Sequence, residues 1–248
     1  MRMLWPESLD DLTDDDLANI YGYPAEVTGS WVQVNFVSSA DGAATVEDRS
    51  EPLSSPADKR IYLLGRDLAD VVLVGAGTVR AEGYRGARAN DIRRERRKRL
   101  GLAEIPPIAV VTASARIDPA CALLTDTQVP PIIITTEEAP AERVAELADA
   151  GAEILVAGQQ RVDLAAALAE LSRRGLKRVD CEGGPCLFGE LIAENLVDQL
   201  CLTVAPLLAG AGADRIAVGP ATTESRHLEL ASILHEDGFT MLRYRRRT

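Results

Sequence analysis

The chain has 248 residues, of which 46% are hydrophobic, and a formal net charge of −11. This length supports one substantial core, and the acidic excess argues against nucleic acid as the main partner, because such binding depends on neutralising phosphates. No apolar stretch approaches the ~20 residues that cross a bilayer, and the N-terminus has no apolar signal-peptide core, so we expect a cytoplasmic protein without a membrane partner.

The first half of the chain is predicted to alternate helices and strands. Residues 8–21 are expected to form a short acidic helix capped by Thr13. The pair Ser55-Pro56 predicts a second helix, with the serine as cap and the proline at the first helical position, which runs to about Leu68. Alternating or apolar segments predict strands over Trp31–Ser38, Val71–Val74 and Ile108–Thr112.

The second half continues the alternation. Its last segment, Phe239–Arg246, has the polar–apolar pattern of an edge or hairpin strand. Alternating strands and helices favour an α/β class protein, a three-layer α/β/α domain with a mainly parallel, mixed sheet. The other predicted elements are the strands Ile132–Thr135, Glu153–Val156, Arg178–Asp180 and Gln199–Val204 and the helices Ala141–Ala150, Asp163–Arg174 and Glu190–Leu196.

Six basic side chains lie close together between residues 90 and 100. Because charge runs usually form exposed faces, we expect a solvated helix or loop there, with a contact to an anion or a partner as the alternative. The six are Arg93, Arg94, Arg96, Arg97, Lys98 and Arg99.

The cysteines and histidines argue against two classes of site. No two cysteines have Cys-x-x-Cys spacing, and His227 and His235 lie far from them, so we expect no metal site. Without a Gly-x-Ser-x-Gly motif, a Ser-His-Asp hydrolase is also poorly supported. We expect free thiols, typical of a reducing compartment, at Cys121, Cys181, Cys186 and Cys201.

Two glycine-rich turns are the most informative motifs. Each lies between an apolar run and a predicted helix start, where backbone N–H groups can point at an anion. The first glycine turn is Gly75-Ala76-Gly77-Thr78, and it lacks the third glycine of a dinucleotide fingerprint, so a plain strand-to-helix turn remains the alternative. The second glycine turn, Glu182-Gly183-Gly184-Pro185, is the stronger signal because it exposes successive N–H groups. Together they indicate a phosphate-bearing ligand, most simply a dinucleotide.

From Trp31 to the C-terminus, the order of several motifs resembles one known family. The motifs are Ser39-Ala40-Asp41-Gly42, Ser54-Ser55-Pro56, Arg66 with Ala69-Asp70, Gly75 through Glu82, Glu182-Gly183-Gly184-Pro185, and Leu196 through Leu200. Their order and spacing resemble the reductase domain of the bacterial bifunctional riboflavin-biosynthesis deaminase/reductase, in its stand-alone actinobacterial branch.

The resemblance implies a dihydrofolate reductase-like fold over residues 25–248, preceded by a helical extension over 1–24. It implies NADPH-dependent reduction of a phosphoribosylamino-pyrimidine, as in a 5-amino-6-(5-phosphoribosylamino)uracil reductase, in which the ribose opens to a ribitylamino chain. It also implies a homodimer, for which Phe239–Arg246 would supply an unpaired edge. The chain would then be an oxidoreductase of riboflavin biosynthesis.

The resemblance also assigns site residues. Substrate contacts would fall on Ser50, Arg66, Arg88 and Glu182. Ser114 and Arg116 follow a predicted strand and are candidates for the cofactor's 2′-phosphate, with Arg116 as a plain surface residue in the alternative. The complete set of cofactor contacts would be Gly75, Gly77, Thr78, Glu82, Ser114, Arg116, Gly183, Gly184, Pro185, Cys186 and Leu187.

The candidate catalytic residues are Asn35, Asp41 and Glu182, and two positions depart from the family. Asn35 stands where the riboflavin enzymes generally carry lysine, and Pro52 where they often carry tryptophan. Asn35 is therefore either a satisfied polar strand residue or a sign of a shifted substrate, such as a pteridine. Asp41 either orients substrate or only makes the Asp-Gly turn. A nucleotide-binding protein that has lost the chemistry is the competing hypothesis.

Overall fold

The computed structural model describes residues 1–210, 212–220 and 224–247. In these residues ten strands form one sheet, in the order β1-β9-β10-β8-β2-β7-β3-β4-β5-β6. The strands are β1 (Arg2–Trp5), β2 (Trp31–Ser39), β3 (Val71–Gly75), β4 (Ile108–Val111), β5 (Ile132–Thr135), β6 (Glu153–Val156), β7 (Arg178–Cys181), β8 (Gln199–Ala205), β9 (Leu228–Glu236) and β10 (Phe239–Arg246).

Seven neighbouring strands, from β8 to β6, run parallel, and the β10, β9 and β1 end is antiparallel. The prediction of a mainly parallel, mixed sheet is confirmed. Because parallel strands end at the same sheet edge, the segments that follow β2, β3, β4 and β7 lie side by side. This edge carries the candidate site.

Helices cover both faces of the sheet. They are α1 (Asp14–Tyr21), α2 (Pro56–Leu68), α3 (Ala76–Glu82), α4 (Asp91–Arg99), α5 (Ala122–Thr125), α6 (Ala141–Asp149), α7 (Leu164–Arg173) and α8 (Pro185–Ala193), with a 3₁₀ turn at Glu51–Leu53. The predicted caps are present, since Thr13 forms a capping box and the Ser55 hydroxyl accepts from the Asp58 N–H.

The sheet separates two apolar layers, so the α/β/α architecture is confirmed. One layer packs α7 and α8 against β2, β3 and β7. On the other face, α3, α5 and α6 pack near β3 to β5, while α1 and α2 pack near β8 to β10. In the described residues no helix is long and apolar enough to cross a membrane.

Both chain ends differ from the sequence-based expectation. The first 24 residues contain β1 as well as a helix, and that helix begins at Asp14 rather than residue 8. β9 was not predicted. β10 pairs with β8 on one side and β9 on the other, so it is an interior strand. The hairpin alternative for Phe239–Arg246 is confirmed, and the prediction that this segment supplies a free edge for dimer formation was wrong.

The basic run also differs from expectation. It forms α4, but Arg96 and Arg97 are buried, and Arg97 is only 1% exposed. The Arg97 guanidinium donates to the carbonyls of Ala103, Arg66 and Ala69 at 2.6, 2.7 and 2.8 Å. Arg96 forms a 2.6 Å ion pair with Asp67. These two arginines secure the C-terminal end of α2 rather than facing solvent.

Candidate active site

A cleft of about 750 Å³ opens at the carboxyl edge of the sheet, between α2, α3 and the start of α8. It collects segments that are far apart in sequence, because β2, β3 and β7 are neighbours in the sheet. Twelve of the candidate residues line it: Asn35, Ser50, Arg66, Gly75, Gly77, Thr78, Glu82, Glu182, Gly184, Pro185, Cys186 and Leu187.

The two glycine turns contact each other at this cleft. The Gly75 N–H donates to the Gly183 carbonyl at 2.7 Å. A Cβ at Gly184 would lie 2.4 Å from Thr78 Oγ1, and one at Gly183, whose φ is +82°, would lie 2.7 Å from the Phe36 ring. A side chain at Gly183 would be strained by the positive φ and by the Phe36 ring, and one at Gly184 would require the Thr78 hydroxyl to move. The two turns therefore form one concave backbone surface, the cradle. Because glycines carry no side chain, an anionic ligand can come close to the backbone N–H groups there.

Gly77 differs from these glycines. It lies at the second position of α3, lines the cleft and is exposed, and a Cβ there would meet no atom within 4 Å. The space above Gly77 is open to a ligand. α8 begins directly after Gly184, with Pro185 in its first turn, so its positive dipole end points toward the same cradle.

The middle of the cleft carries a hydrogen-bonded cluster centred on Glu182. Arg66 forms a bidentate pair with this carboxylate, with Nε–Oε1 and Nη2–Oε2 distances of 2.5 and 2.7 Å. The hydroxyls of Tyr62 and Tyr84 each donate to Oε2 at 2.6 Å. Arg66 Nη2 also donates to the Tyr62 hydroxyl at 2.7 Å. The Glu182 side chain is fully buried, and these partners fix its orientation.

The tyrosines of this cluster remain protonated donors. Burial raises the pKa of Tyr62 and of Tyr84 well above the ordinary value, and the charge of Glu182 raises it further. The Arg66 guanidinium also lies over both rings, 5.1 and 5.5 Å from their centroids. Such a cluster presents the Arg66 cation and tyrosine hydroxyl oxygens to the cleft, and the positive charge of Arg66 balances the negative charge of Glu182.

Asn35, on β2, lines the cleft beside a second buried acid. Its side-chain amide donates to the carboxyl of Asp180, which is fully buried on β7. Burial raises the pKa of Asp180 well above its ordinary value, and nearby Glu182 adds to that effect. Gly65 of α2 allows this packing, because a Cβ there would lie 2.6 Å from Asp180 Oδ2 and 2.8 Å from Asn35 Nδ2. Asn35 therefore has a defined partner and also faces the cleft.

Five candidate residues lie outside the cleft lining. The carboxylate of Asp41 accepts from the N–H groups of Ala209 and Gly210 and from the Ser39 hydroxyl, so it holds a loop. Arg88 is exposed and pairs with Asp126. The others are Gly183, whose carbonyl joins the two turns, and Ser114 and Arg116, which are exposed after β4 at the same sheet edge.

Ser50 and Glu82, assigned to substrate and cofactor respectively, contact each other. The Ser50 N–H and hydroxyl donate to Glu82 Oε1 at 3.0 and 2.9 Å. This contact ties the loop before the 3₁₀ turn to the end of α3. Both residues border the cleft, so the pair forms part of its wall between the 3₁₀ turn and α3.

Sequence reasoning missed four residues that the fold brings to this site: Asp58, Tyr62, Tyr84 and Asp180. A signal existed for two of them, because Asp58, Tyr62 and Arg66 are spaced by four residues and so share one face of α2. The other two had no such signal: Tyr84 lies just after the end of α3, and Asp180 lies on β7, two residues before Glu182.

Residues 30–238 match the family model of the RibD C-terminal domain. The chain belongs to this family. Two curated relatives are each named 2,5-diamino-6-ribosylamino-4(3H)-pyrimidinone 5′-phosphate reductase. The protein from Archaeoglobus fulgidus is 34% identical over 73% of this chain and 82% of its own length. That from Methanothermobacter thermautotrophicus is 33% identical over 73% and 79%.

A solved structure supports the same fold. A pyrimidine reductase-like protein from Corynebacterium diphtheriae is similar with a TM-score of 0.82 and 24% identity, covering 96% of this chain and all of that one. The family model and the two curated relatives confirm the resemblance to riboflavin-biosynthesis reductases inferred from the motifs, and the solved structure confirms the fold class.

Proposed function

We propose that the chain is an NADPH-dependent reductase of a phosphoribosylamino-pyrimidine in riboflavin biosynthesis, which converts the ribosylamino group to ribitylamino. One observation carries the proposal. A single cleft joins the two glycine turns, suited to a dinucleotide, to the Arg66–Glu182 pair and its two tyrosines. The curated relatives named as pyrimidinone phosphate reductases, at 33–34% identity, support the same reaction.

The glycine turns fit the cofactor. Gly184 and Gly183 form a cradle that a Cβ would fill, and Gly77 leaves open space above the start of α3. When bound, the cofactor supplies a hydride to the carbon of a C=N bond. Ser114 and Arg116 lie after β4 at the same sheet edge as the turns, and Arg80 of α3 donates to the Arg116 carbonyl at 2.9 Å. This location suits the 2′-phosphate of NADPH, which an arginine fork can bind.

The substrate end of the cleft has donors and cations. Arg66 can donate to hydroxyl groups of the opened sugar, and the oxygen of the Tyr84 hydroxyl, whose hydrogen goes to Glu182, can accept from them. Arg49 borders the mouth and can meet the 5′-phosphate. The orienting work therefore falls on residues that are already held by hydrogen bonds, which reduces the entropy lost in reaching a reactive geometry.

The experiment is a steady-state assay of NADPH oxidation with a panel of imine-forming substrates: the two phosphoribosylamino-pyrimidines, amino and oxo at C2, and a dihydropteridine. We expect turnover with a pyrimidine, and NADPH preferred over NADH by tenfold or more, since charged hydrogen bonds contribute ~1.5–3 kcal/mol. Turnover of the pteridine alone would replace the substrate assignment. Cofactor binding without any oxidation would favour a nucleotide-binding protein.

Assembly as a homodimer and a cytoplasmic location are part of the proposal. In the described residues, the Leu228–Ser232 part of β9 pairs with β10 on one side and has no strand on the other. Two apolar side chains of this part, Leu228 and Leu230, are 36% and 37% exposed. An open strand edge with apolar side chains favours pairing across a two-fold axis. Light scattering should report a particle of twice 26.6 kDa, and a monomer would contradict this. The free cysteines suit a reducing compartment.

A further inference from the structure

A buried carboxyl lies behind the wall of the cleft, on β7. The Asp180 side chain is fully buried, whereas Asn35, on the neighbouring strand β2, lines the cleft. Gly65 of α2 covers the contact between the two, because a Cβ there would lie 2.6 Å from Asp180 Oδ2 and 2.8 Å from Asn35 Nδ2. Two strands and a helix thus enclose the carboxyl. Asp180 does not touch a ligand in the cleft, and Asn35 is the side chain between them.

The contact between these side chains fixes the direction of the Asn35 amide. An asparagine amide has a donor NH2 group and an acceptor oxygen, and its terminal torsion has two broad, opposite orientations. Here Nδ2 donates to Asp180 Oδ1, so the amide nitrogen is directed into the protein. In the part of the chain that the structure describes, no N–H or O–H group donates to Asn35 Oδ1, and this oxygen is not fully buried. The acceptor end of the amide is therefore the end offered to the cleft.

Asp180 accepts from Asn35 whether or not its carboxyl carries a charge. Burial raises the pKa of this carboxyl well above the ordinary value, and the charge of Glu182 raises it further. A protonated carboxyl keeps a carbonyl oxygen that accepts, so the hydrogen bond from Asn35 persists in the neutral state. The close approach of α2 at Gly65, where a Cβ would also lie 2.9 Å from Oδ1, leaves the carboxyl little room to turn. The direction of the amide is therefore held from both β7 and α2.

An acceptor at Asn35 complements the groups that the cleft already contains. The Arg66 guanidinium supplies a cation and donors, and its bidentate pair occupies both oxygens of Glu182. The hydroxyls of Tyr62 and Tyr84 donate to the same carboxylate. The substrate proposed above carries O–H and N–H groups, which need acceptors when they leave water. Asn35 Oδ1 is such an acceptor, since its own side chain spends only its nitrogen on the protein.

We propose that Asp180 is a positioning residue, which holds the Asn35 amide with its oxygen toward the cleft, where that oxygen accepts a hydrogen bond from an N–H or O–H group of the substrate. The identity of the substrate rests on the proposed function. The inference deepens that function, because it assigns the orientation of a substrate-binding group to a residue that the substrate does not touch.

The first measurement needs no ligand. The side-chain NH2 signals of Asn35 are identified by nuclear magnetic resonance, from their absence in Asn35→Ala, and their exchange with solvent is followed. A hydrogen bond to a buried acceptor should make this exchange slow in the wild type. Asp180→Leu keeps the branched shape of the side chain but removes the acceptor, so exchange should become at least about tenfold faster. Asp180→Ala, which also lacks an acceptor and adds no bulk, should agree with it.

The second measurement is substrate binding, by calorimetry with the 5′-phosphorylated pyrimidine and by steady-state kinetics. Asp180→Leu should raise the dissociation constant and KM of the pyrimidine about tenfold, with a smaller change in kcat and an unchanged dissociation constant for NADPH. Asp180→Asn retains an acceptor oxygen and should recover most of that loss. Thr135→Val is the matched control and should change none of these constants, because Thr135 is a buried side chain of the same sheet that does not line the cleft.

A double-mutant cycle separates positioning from a general structural role. Because Asp180 acts through Asn35, Asp180→Leu should cause no further loss of pyrimidine binding in Asn35→Ala protein. Equal losses in the two backgrounds would overturn the proposal, and so would unchanged exchange of the Asn35 NH2 group in Asp180→Leu and Asp180→Ala. Faster exchange and a coupled loss of pyrimidine binding, without any oxidation of NADPH by the wild type, would support the role of Asp180 and refute the reductase.

Discussion

Replacing Arg97 with alanine should destabilise the protein more than replacing any exposed arginine of α4. The Arg97 guanidinium is buried beneath the end of α2 and donates to the carbonyls of Arg66, Ala69 and Ala103. Carbonyls at the C-terminus of a helix have no partner inside the helix, and a cation there also opposes the negative end of the helix dipole. Arg97→Ala removes these donors at once.

The size of the effect follows from the three carbonyls. Each buried acceptor left without a partner costs about 1–3 kcal/mol, so three give a lower bound of about 3 kcal/mol. Water that enters the vacated space should limit the loss to about 5 kcal/mol, near the upper end of single substitutions. For a chain of this length, 1 kcal/mol corresponds to roughly 2–4 °C, so the melting temperature should fall by about 6–20 °C.

Thermal and urea unfolding followed by circular dichroism measure this change. Arg94→Ala is the matched control, because Arg94 lies on the same helix and its pairs with Glu104 and Asp91 are exposed. The control should melt with the wild type, since exposed ion pairs contribute little. Equal melting temperatures for Arg97→Ala and Arg94→Ala would refute the assignment of Arg97 as the buried support of α2.

Three further predictions concern the cleft. Gly77→Leu places a side chain in open space, so it should weaken NADPH binding about tenfold or more without lowering the thermal stability of the protein measured in the absence of NADPH. Fluorescence titration measures the NADPH dissociation constant. An unchanged dissociation constant would contradict the position assigned to the cofactor. Tyr84→Phe removes one hydrogen-bond donor to Glu182. It should lower kcat/KM about ten- to a hundredfold while the affinity for NADPH stays unchanged. Full activity of this variant would show that the hydrogen bond is dispensable. Asp180→Asn should stabilise the protein most at high pH. Burial raises the pKa of Asp180, so the folded wild type keeps a proton that the unfolded chain loses above about pH 4, and wild-type stability rises as pH falls, by up to about 1.4 kcal/mol per pH unit. Urea unfolding of both proteins from pH 4 to 8 should show the difference shrinking toward acid, and a constant difference would contradict it.

Local rules made several elements predictable from the chain alone. Thr13 and Ser55 cap helices where expected, because a side-chain oxygen can satisfy an unpaired N–H within the same turn. The apolar run Val71–Val74 and the glycines after it gave β3 and the start of α3. These features depend on neighbours within a few residues. The second glycine turn was also predictable from its own few residues, because Glu182-Gly183-Gly184-Pro185 matches the motif of the family.

The cleft was predictable only in part. Glu182, Arg66 and the glycines were candidates, but Tyr62, Tyr84 and Asp180 have no motif of their own. They become site residues because α2, α3 and β7 meet at one edge of the sheet. Asp41 had two alternatives in the sequence, and the contacts of its carboxylate with the N–H groups of Ala209 and Gly210 place it in a loop.

The tertiary structure alone decided which charges and strand edges are exposed. Arg97 belongs to a run with the composition of a solvated helix, yet its partners are carbonyls that lie about thirty residues earlier, at the end of α2. Phe239–Arg246 has the pattern of an edge or hairpin strand, and only the fold shows that it is the hairpin partner of β9 with β8 on its other side. Alternation and charge describe one segment at a time, whereas burial depends on what another segment brings against it. That pairing is set by the order of strands in the sheet, which no local pattern contains.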